Sequence, residues 1–96
     1  MSTIRLIHIK IDPSEKEKAE RVWKTECAPL MIQQTGCISE KLLRSRDACE
    51  FISYSEWENE QDIERYLSSE AHKEIVRHSG GLKGTQVVVK LYDLVK

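Results

Sequence analysis

Residues 37–57 read CISEKLLRSRDACEFISYSEW, and the fold turns on them. Two extended segments, Cys37 to Ser45 and Cys49 to Trp57, flank Arg46-Asp47-Ala48, a connection short enough for an antiparallel hairpin. In the second segment Phe51, Ser53, Ser55 and Trp57 share one face, and Ile52, Tyr54 and Glu56 share the other.

Upstream of this hairpin lies a helical stretch. Asp12-Pro13-Ser14-Glu15 suits a helix start: Asp12 as N-cap, Pro13 at the first helical position, and Glu15 in the positive first turn. Ala19, Val22, Trp23, Cys27 and Leu30 then form one apolar stripe. Pro29 lacks the N–H that a helix interior requires, so a kink or restart is expected there, with the helix ending at Gly36. Before the helix, residues 3–11 (TIRLIHIKI) alternate as a strand. Arg5, Ile7, Ile9 and Ile11 lie on one face, and Ile4, Leu6, His8 and Lys10 on the other.

Downstream, Asn59 caps a helix whose expected stripe is Ile63, Tyr66 and Leu67. Ser68-Ser69-Glu70 interrupts it, and Ala71, His72, Ile75 and Val76 renew it. A glycine-rich connection over residues 78–84 leads to a last strand, Thr85 to Val95. Val87, Val89, Leu91 and Val95 face one way there; Val88, Tyr92 and Leu94 face the other. The order β-α-β-β-α-β on 96 residues predicts one domain, residues 1–96, of the α+β class: a ferredoxin-like antiparallel sheet with its helices on one side. Such a sheet leaves its other face bare, although the second strand faces also carry Ile, Val, Leu, Tyr or Phe. At roughly 25 cal/mol per Å² of buried apolar surface, a homodimer closing sheet on sheet is the simplest cover.

Fifteen Lys and Arg against sixteen Asp and Glu leave a net charge of −1, with no basic surplus for nucleic acid. Neither a membrane span nor the blocks of a signal peptide are visible, so a cytoplasmic location is expected. Cys27, Cys37 and Cys49 form no CxxC pair and read as small buried hydrophobes. Residues 80–85 superficially resemble a phosphate loop, but the spacing is wrong and a strand follows where a helix is needed. His72 and His78, six apart, face different sides of a helix and make a poor metal pair.

The string Phe51 to Glu60, FISYSEWENE, resembles the third-strand signature of the antibiotic biosynthesis monooxygenase superfamily, an apolar strand ending in Trp before an acidic turn and a helix. Gln34-Thr35-Gly36-Cys37 resembles that family's entry to the second strand, and Leu67 to His72 resembles its Leu-x-Ser-x-Ala-His stretch. The resemblance spans nearly the whole chain. It implies a dimeric α/β barrel with a pocket between the sheet and helices of each subunit. It also implies oxygenase chemistry on aromatic polyketides or quinols without metal or flavin.

Such chemistry needs an apolar cavity, a proton acceptor of near-neutral pKa and donors for the substrate oxygens. His72, at the family position, is the candidate acceptor; the competing reading is a half-buried histidine satisfied by backbone or water. Trp57 either lines the cavity with its indole N–H or locks strand to helix. His8, mid-strand among apolar residues, faces either a cavity or a partner subunit. Trp23, Tyr54 and Tyr66 are candidate substrate contacts that would equally serve as core, and Arg44 is a candidate for an anionic substrate. Haem-degrading relatives place an axial His where Val76 falls here, with Tyr66 at their Trp and His8 near their Asn, so haem degradation is disfavoured. The expected function is a cofactor-independent monooxygenase acting on a hydroxylated aromatic, polyketide or quinol. The alternative is a non-catalytic dimeric module binding a small hydrophobic ligand or a protein partner.

Overall fold

A computed structural model describes residues 2–80, 82 and 84–95. Strand β1 (Thr3–Lys10) leads through a 3₁₀ turn (Pro13–Glu15) into α1 (Lys16–Val22), a π-helical turn (Trp23–Cys27) and α2 (Ala28–Ile32). Strands β2 (Cys37–Arg44) and β3 (Glu50–Trp57), helices α3 (Glu60–Leu67) and α4 (Glu70–Ser79), and strand β4 (Gln86–Asp93) complete the order. Asp12 caps the first helical segment by accepting from the Ser14 backbone N–H at 2.9 Å. The interruption expected at Pro29 is the π turn just before it. There the Ala28 N–H reaches back five residues to the Trp23 carbonyl, and α2 restarts with Pro29 in its first turn.

The sheet order is β2-β3-β1-β4, antiparallel throughout. Each helical crossover links strands that run the same way but are not neighbours: β3 lies between β1 and β2, and β1 lies between β3 and β4. Register places Ile9 opposite Phe51 and Val87, and Arg5 opposite Ser55 and Leu91. The face carrying Arg5, Ile7 and Ile9 therefore runs on through Phe51, Ser53, Ser55 and Trp57, and it is the face toward the helices. Met31, Trp57, Ile63 and Tyr66 form the buried core, with Cys37 and Ile75 packed against it. The core fills one end of this layer.

Three boundaries shift from expectation. The helix before the hairpin ends at Ile32 rather than at Gly36, because turn bonds from Gln34 N–H to Met31 and from Cys37 N–H to Gln34 take over. The hairpin loop widens by one residue on each side, and β4 is shorter than Thr85 to Val95. Leu67, expected on the buried stripe of α3, is 40% exposed, since the chain turns at Ser68 before that position reaches the core. Strand β4 is exposed along its whole length. It is an edge strand beyond the reach of the helices, so Val88 at 55% exposure and its neighbours Val87 and Val89 meet solvent on both faces. No described helix is long and apolar enough to cross a membrane.

Gly36 joins the helical layer to the sheet. It has φ +83°, and its carbonyl accepts from the Glu58 N–H at 2.8 Å. A Cβ here would overlap the Asp62 carboxylate, which is itself buried and paired with Arg65 at 2.8 Å. Gly36→Ala therefore combines left-handed backbone strain with displacement of α3. A loss of about 1–3 kcal/mol is expected, lowering Tm by about 5–15 °C in thermal unfolding; an unchanged Tm would remove this constraint.

Candidate active site

Opposite the core, the same layer leaves a cavity of about 450 Å³ with mainly apolar walls, open to solvent on the side of Val87 and Val89. Its sheet side is built from Arg5, Ile7, Ile9, Leu42, Phe51, Ser53, Val87 and Val89, and its helix side includes Trp23, Tyr66, His72 and Ile75. The space exists because Ser53 and Ser55 occupy the middle of the covered face of β3, between the larger Phe51 and Trp57. Two small side chains in a central strand leave room for long side chains on the neighbouring strands, of which Arg5 lines the hollow.

Those neighbours are charged. Glu40, Ser55 and Arg5 lie in one row across β2, β3 and β1. Glu40 Oε1 accepts from Ser53 Oγ at 3.1 Å, while Glu40 Oε2 is buried with no partner among the described residues. Burial pushes the Glu40 carboxyl up to about 8, against the opposing effects of the Ser53 bond and the Arg5 charge. At that value the protonated form of Glu40 is favoured at neutral pH. Arg5 is 7% exposed; burial lowers its pKa, yet a guanidinium stays charged. Burial, and then the Arg5 charge, hold His72 below the ordinary histidine value, with the Leu67 carbonyl acting the other way. Arg5 thus keeps its positive charge beside an imidazole held below the ordinary histidine value.

Local structure aims the helix-side groups. Ser69 caps α4 by accepting from the His72 backbone N–H at 3.2 Å. This places the His72 ring edge-on to Tyr66, centroids 5.2 Å apart. Tyr66 in turn packs on Trp57 at 5.3 Å. Trp23 begins the π turn, and its indole Nε1 is buried without an acceptor among the described residues. The Cys27 and Cys37 thiols are each pushed up to about 11, chiefly by burial, which makes them poor nucleophiles.

The structure brings together three of the residues singled out in the sequence: Trp23, Tyr66 and His72. It separates the other four from them. Trp57 is 0% exposed and closed off behind Tyr66; its indole N–H donates to Ser55 Oγ at 2.9 Å, and the Ser55 hydroxyl in turn donates to the Arg5 carbonyl. His8 and Tyr54 lie on the opposite sheet face. There His8 borders a second, shallower hollow, its Nε2 buried and unpartnered among the described residues, and Lys41 sits 5.8 Å over the Tyr54 ring. Arg44 also borders that hollow, and it pairs with Glu20 at 2.7 Å. Sequence reasoning missed Arg5, Glu40 and Ser53. The available signal was a charged residue and two serines on faces otherwise filled by Ile, Phe and Trp.

A split β-α-β-β-α-β sheet with its helices on one face defines the ferredoxin-like α+β class. The sequence model of the antibiotic biosynthesis monooxygenase family matches residues 3–78, and the chain belongs to that family. Solved structures agree in fold. A Nitrosomonas europaea protein named for the same monooxygenase family superposes with a TM-score of 0.86 at 10% identity, over 98% of this chain and 99% of its own. SnoaB, a cofactor-independent oxygenase from Streptomyces nogalater, gives 0.78 at 16% identity over 99% and 94%. Rv0793 from Mycobacterium tuberculosis gives 0.83 at 14% identity over 100% and 97%. At these identities the likeness establishes the fold. No curated protein matches the sequence.

The raised carboxyl at Glu40 has a measurable consequence. Its folded pKa of about 8 lies above the ordinary 4.5. The native state therefore holds a proton that the unfolded chain releases between those values. The resulting stability is fully present below about 4.5 and is lost as pH rises through about 8. Subtracting the thermal unfolding profile of Glu40→Gln from that of the wild type isolates this contribution. The wild-type Tm is expected to fall relative to the variant across that window, and parallel profiles would contradict a buried protonated Glu40.

Proposed function

We propose that the chain is a cofactor-independent monooxygenase that oxidises a hydroxylated aromatic or quinol in the cavity between sheet and helices. The observation that carries the reading is the convergence of a neutral imidazole, an unpartnered indole N–H and a buried positive charge on one apolar cavity. Family membership and the printed activity of SnoaB support it.

In this reading the aromatic body packs against Ile7, Ile9 and Phe51. Its hydroxyl gives a proton to His72, and the positive field of Arg5 favours the anion that results. The anion supplies electrons to O₂ and a carbon–oxygen bond forms. The O–O bond then breaks, one oxygen staying on the ring as a carbonyl and the other leaving as water with two substrate hydrogens. For 1-naphthol this is C₁₀H₈O + O₂ → C₁₀H₆O₂ + H₂O. The substrate supplies all four electrons, so the sum needs no further reductant. Trp57 enters as the support that fixes Tyr66 and, through Ser55, the β1 backbone at Arg5. His8, Tyr54 and Arg44 stand outside the chemistry.

A homodimer is part of the proposal. Exposed Leu43, Val88 and Tyr92, with Ile52 and Tyr54, leave an apolar surface on the open sheet face that a second copy would cover. Three free cysteines suit a reducing, cytoplasmic setting.

Oxygen uptake by metal-free protein against hydroquinones, anthrones and naphthols tests the activity. His72→Ala is expected to lower kcat by about a hundredfold or more. The wild-type kcat/KM should rise to a plateau through a pKa below the ordinary histidine value of 6.5. Trp57→Phe should lower Tm while keeping turnover within a few-fold. A folded protein that binds these compounds but consumes no oxygen would favour the non-catalytic binding module instead. In light scattering the mass should be that of two 11.2 kDa chains, and Val88→Glu should return it to one; a wild-type monomer at micromolar concentration would end the dimer proposal.

A further inference from the structure

The proposed reaction uses the charge of Arg5 but not the directional donors of its guanidinium. Arg5 lines the cavity, yet among the described residues no carboxylate lies within ion-pair distance and no oxygen accepts from its side chain. Glu40 is nearest in the strand register, but its one bonded oxygen is turned to Ser53. A buried guanidinium has a planar fork of donors that matches the two oxygens of a carboxylate, whereas a single phenolate oxygen would leave much of the fork unused. Leaving such a charge unpaired in an apolar cavity is costly, so a ligand that brings the matching anion gains more here than a neutral one. The Arg44 side chain is already matched by Glu20 and lies outside this cavity.

We infer that the cavity selects an aromatic ligand bearing a carboxylate beside its hydroxyl, with Arg5 as the residue that holds the carboxylate. This deepens the reading of the cavity as the reaction site by naming its substrate class. The carboxylate seats on β1 against Arg5, the ring lies along Ile7, Ile9 and Phe51, and the hydroxyl is left for His72 and the Trp23 indole N–H.

The test is calorimetric titration of the full chain at pH 7 and physiological salt with 1-hydroxy-2-naphthoate, its methyl ester and 1-naphthol. The carboxylate should bind at least about tenfold more tightly than either uncharged compound. Arg5→Met should reduce that preference, read as the ratio of acid to methyl-ester affinity within the folded variant, to within about twofold, and Arg5→Lys should restore part of it. Equal affinity for acid and ester in the wild type overturns the inference, however the variants fold. So does a preference that survives in folded Arg5→Met. A carboxylate preference without oxygen uptake supports the inference and sinks the oxygenase reading. Oxygen uptake from neutral naphthols without that preference does the reverse.

Discussion

The covered face of β3 carries Phe51, Ser53, Ser55 and Trp57, and the alternation of large ends with a small centre is the constraint on which the rest depends. A central strand with four large residues would bring the helices down onto a continuous core. With serines in the middle, Trp57 anchors a dense core at one end of the layer, and Phe51 walls a cavity at the other. The hydroxyls also have defined work. Ser53 donates to Glu40, while Ser55 accepts from Trp57 and donates to the Arg5 carbonyl. The same two residues thus create the hollow and satisfy the polar groups that border it.

Charge in that hollow follows from burial rather than from composition. The chain is nearly neutral overall, with a net charge of −1. Around the cavity, however, desolvation pushes the Glu40 carboxyl up and the His72 imidazole down, whereas no comparable shift can discharge an arginine. The local result is a positive site on a slightly acidic protein. This arrangement favours an anion in the cavity and holds His72 below the ordinary histidine value.

Helix irregularities serve the same end. Pro29 removes a backbone donor, and the π turn before it accommodates the gap while presenting Trp23 to the cavity. The break at Ser68 and Ser69 stops α3 and restarts the chain as α4, with the Ser69 cap fixing where His72 begins its helix. A single uninterrupted helix would rotate His72 by a different angle from Tyr66. That solved structures at 10–16% identity keep this architecture reflects how little of the sequence it consumes. Apolar periodicity and a few turn residues are enough, and the cavity walls are left free to vary.

The element order, the capped helix starts, the break at Pro29 and the two-faced strands were all legible in the sequence, because each rests on local periodicity or on the backbone chemistry of Asp, Pro, Ser and Gly. Trp23 and Tyr66 could be picked out from their helix stripes, and His72 from the family resemblance. Their convergence could not. Nor could the withdrawal of Trp57 behind Tyr66, or the assignment of His8 and Tyr54 to the far side of the sheet. These depend on strand register: a shift of one residue would move every side chain of a strand to the opposite face. The row that joins Glu40, Ser55 and Arg5 spans 50 residues of chain, and nothing in any local window links them. The sequence by itself determined which segments are strands and helices and how they are ordered. Only the tertiary structure decided which faces meet, and with that which charges are buried, because desolvation belongs to the assembled layers and to no residue alone.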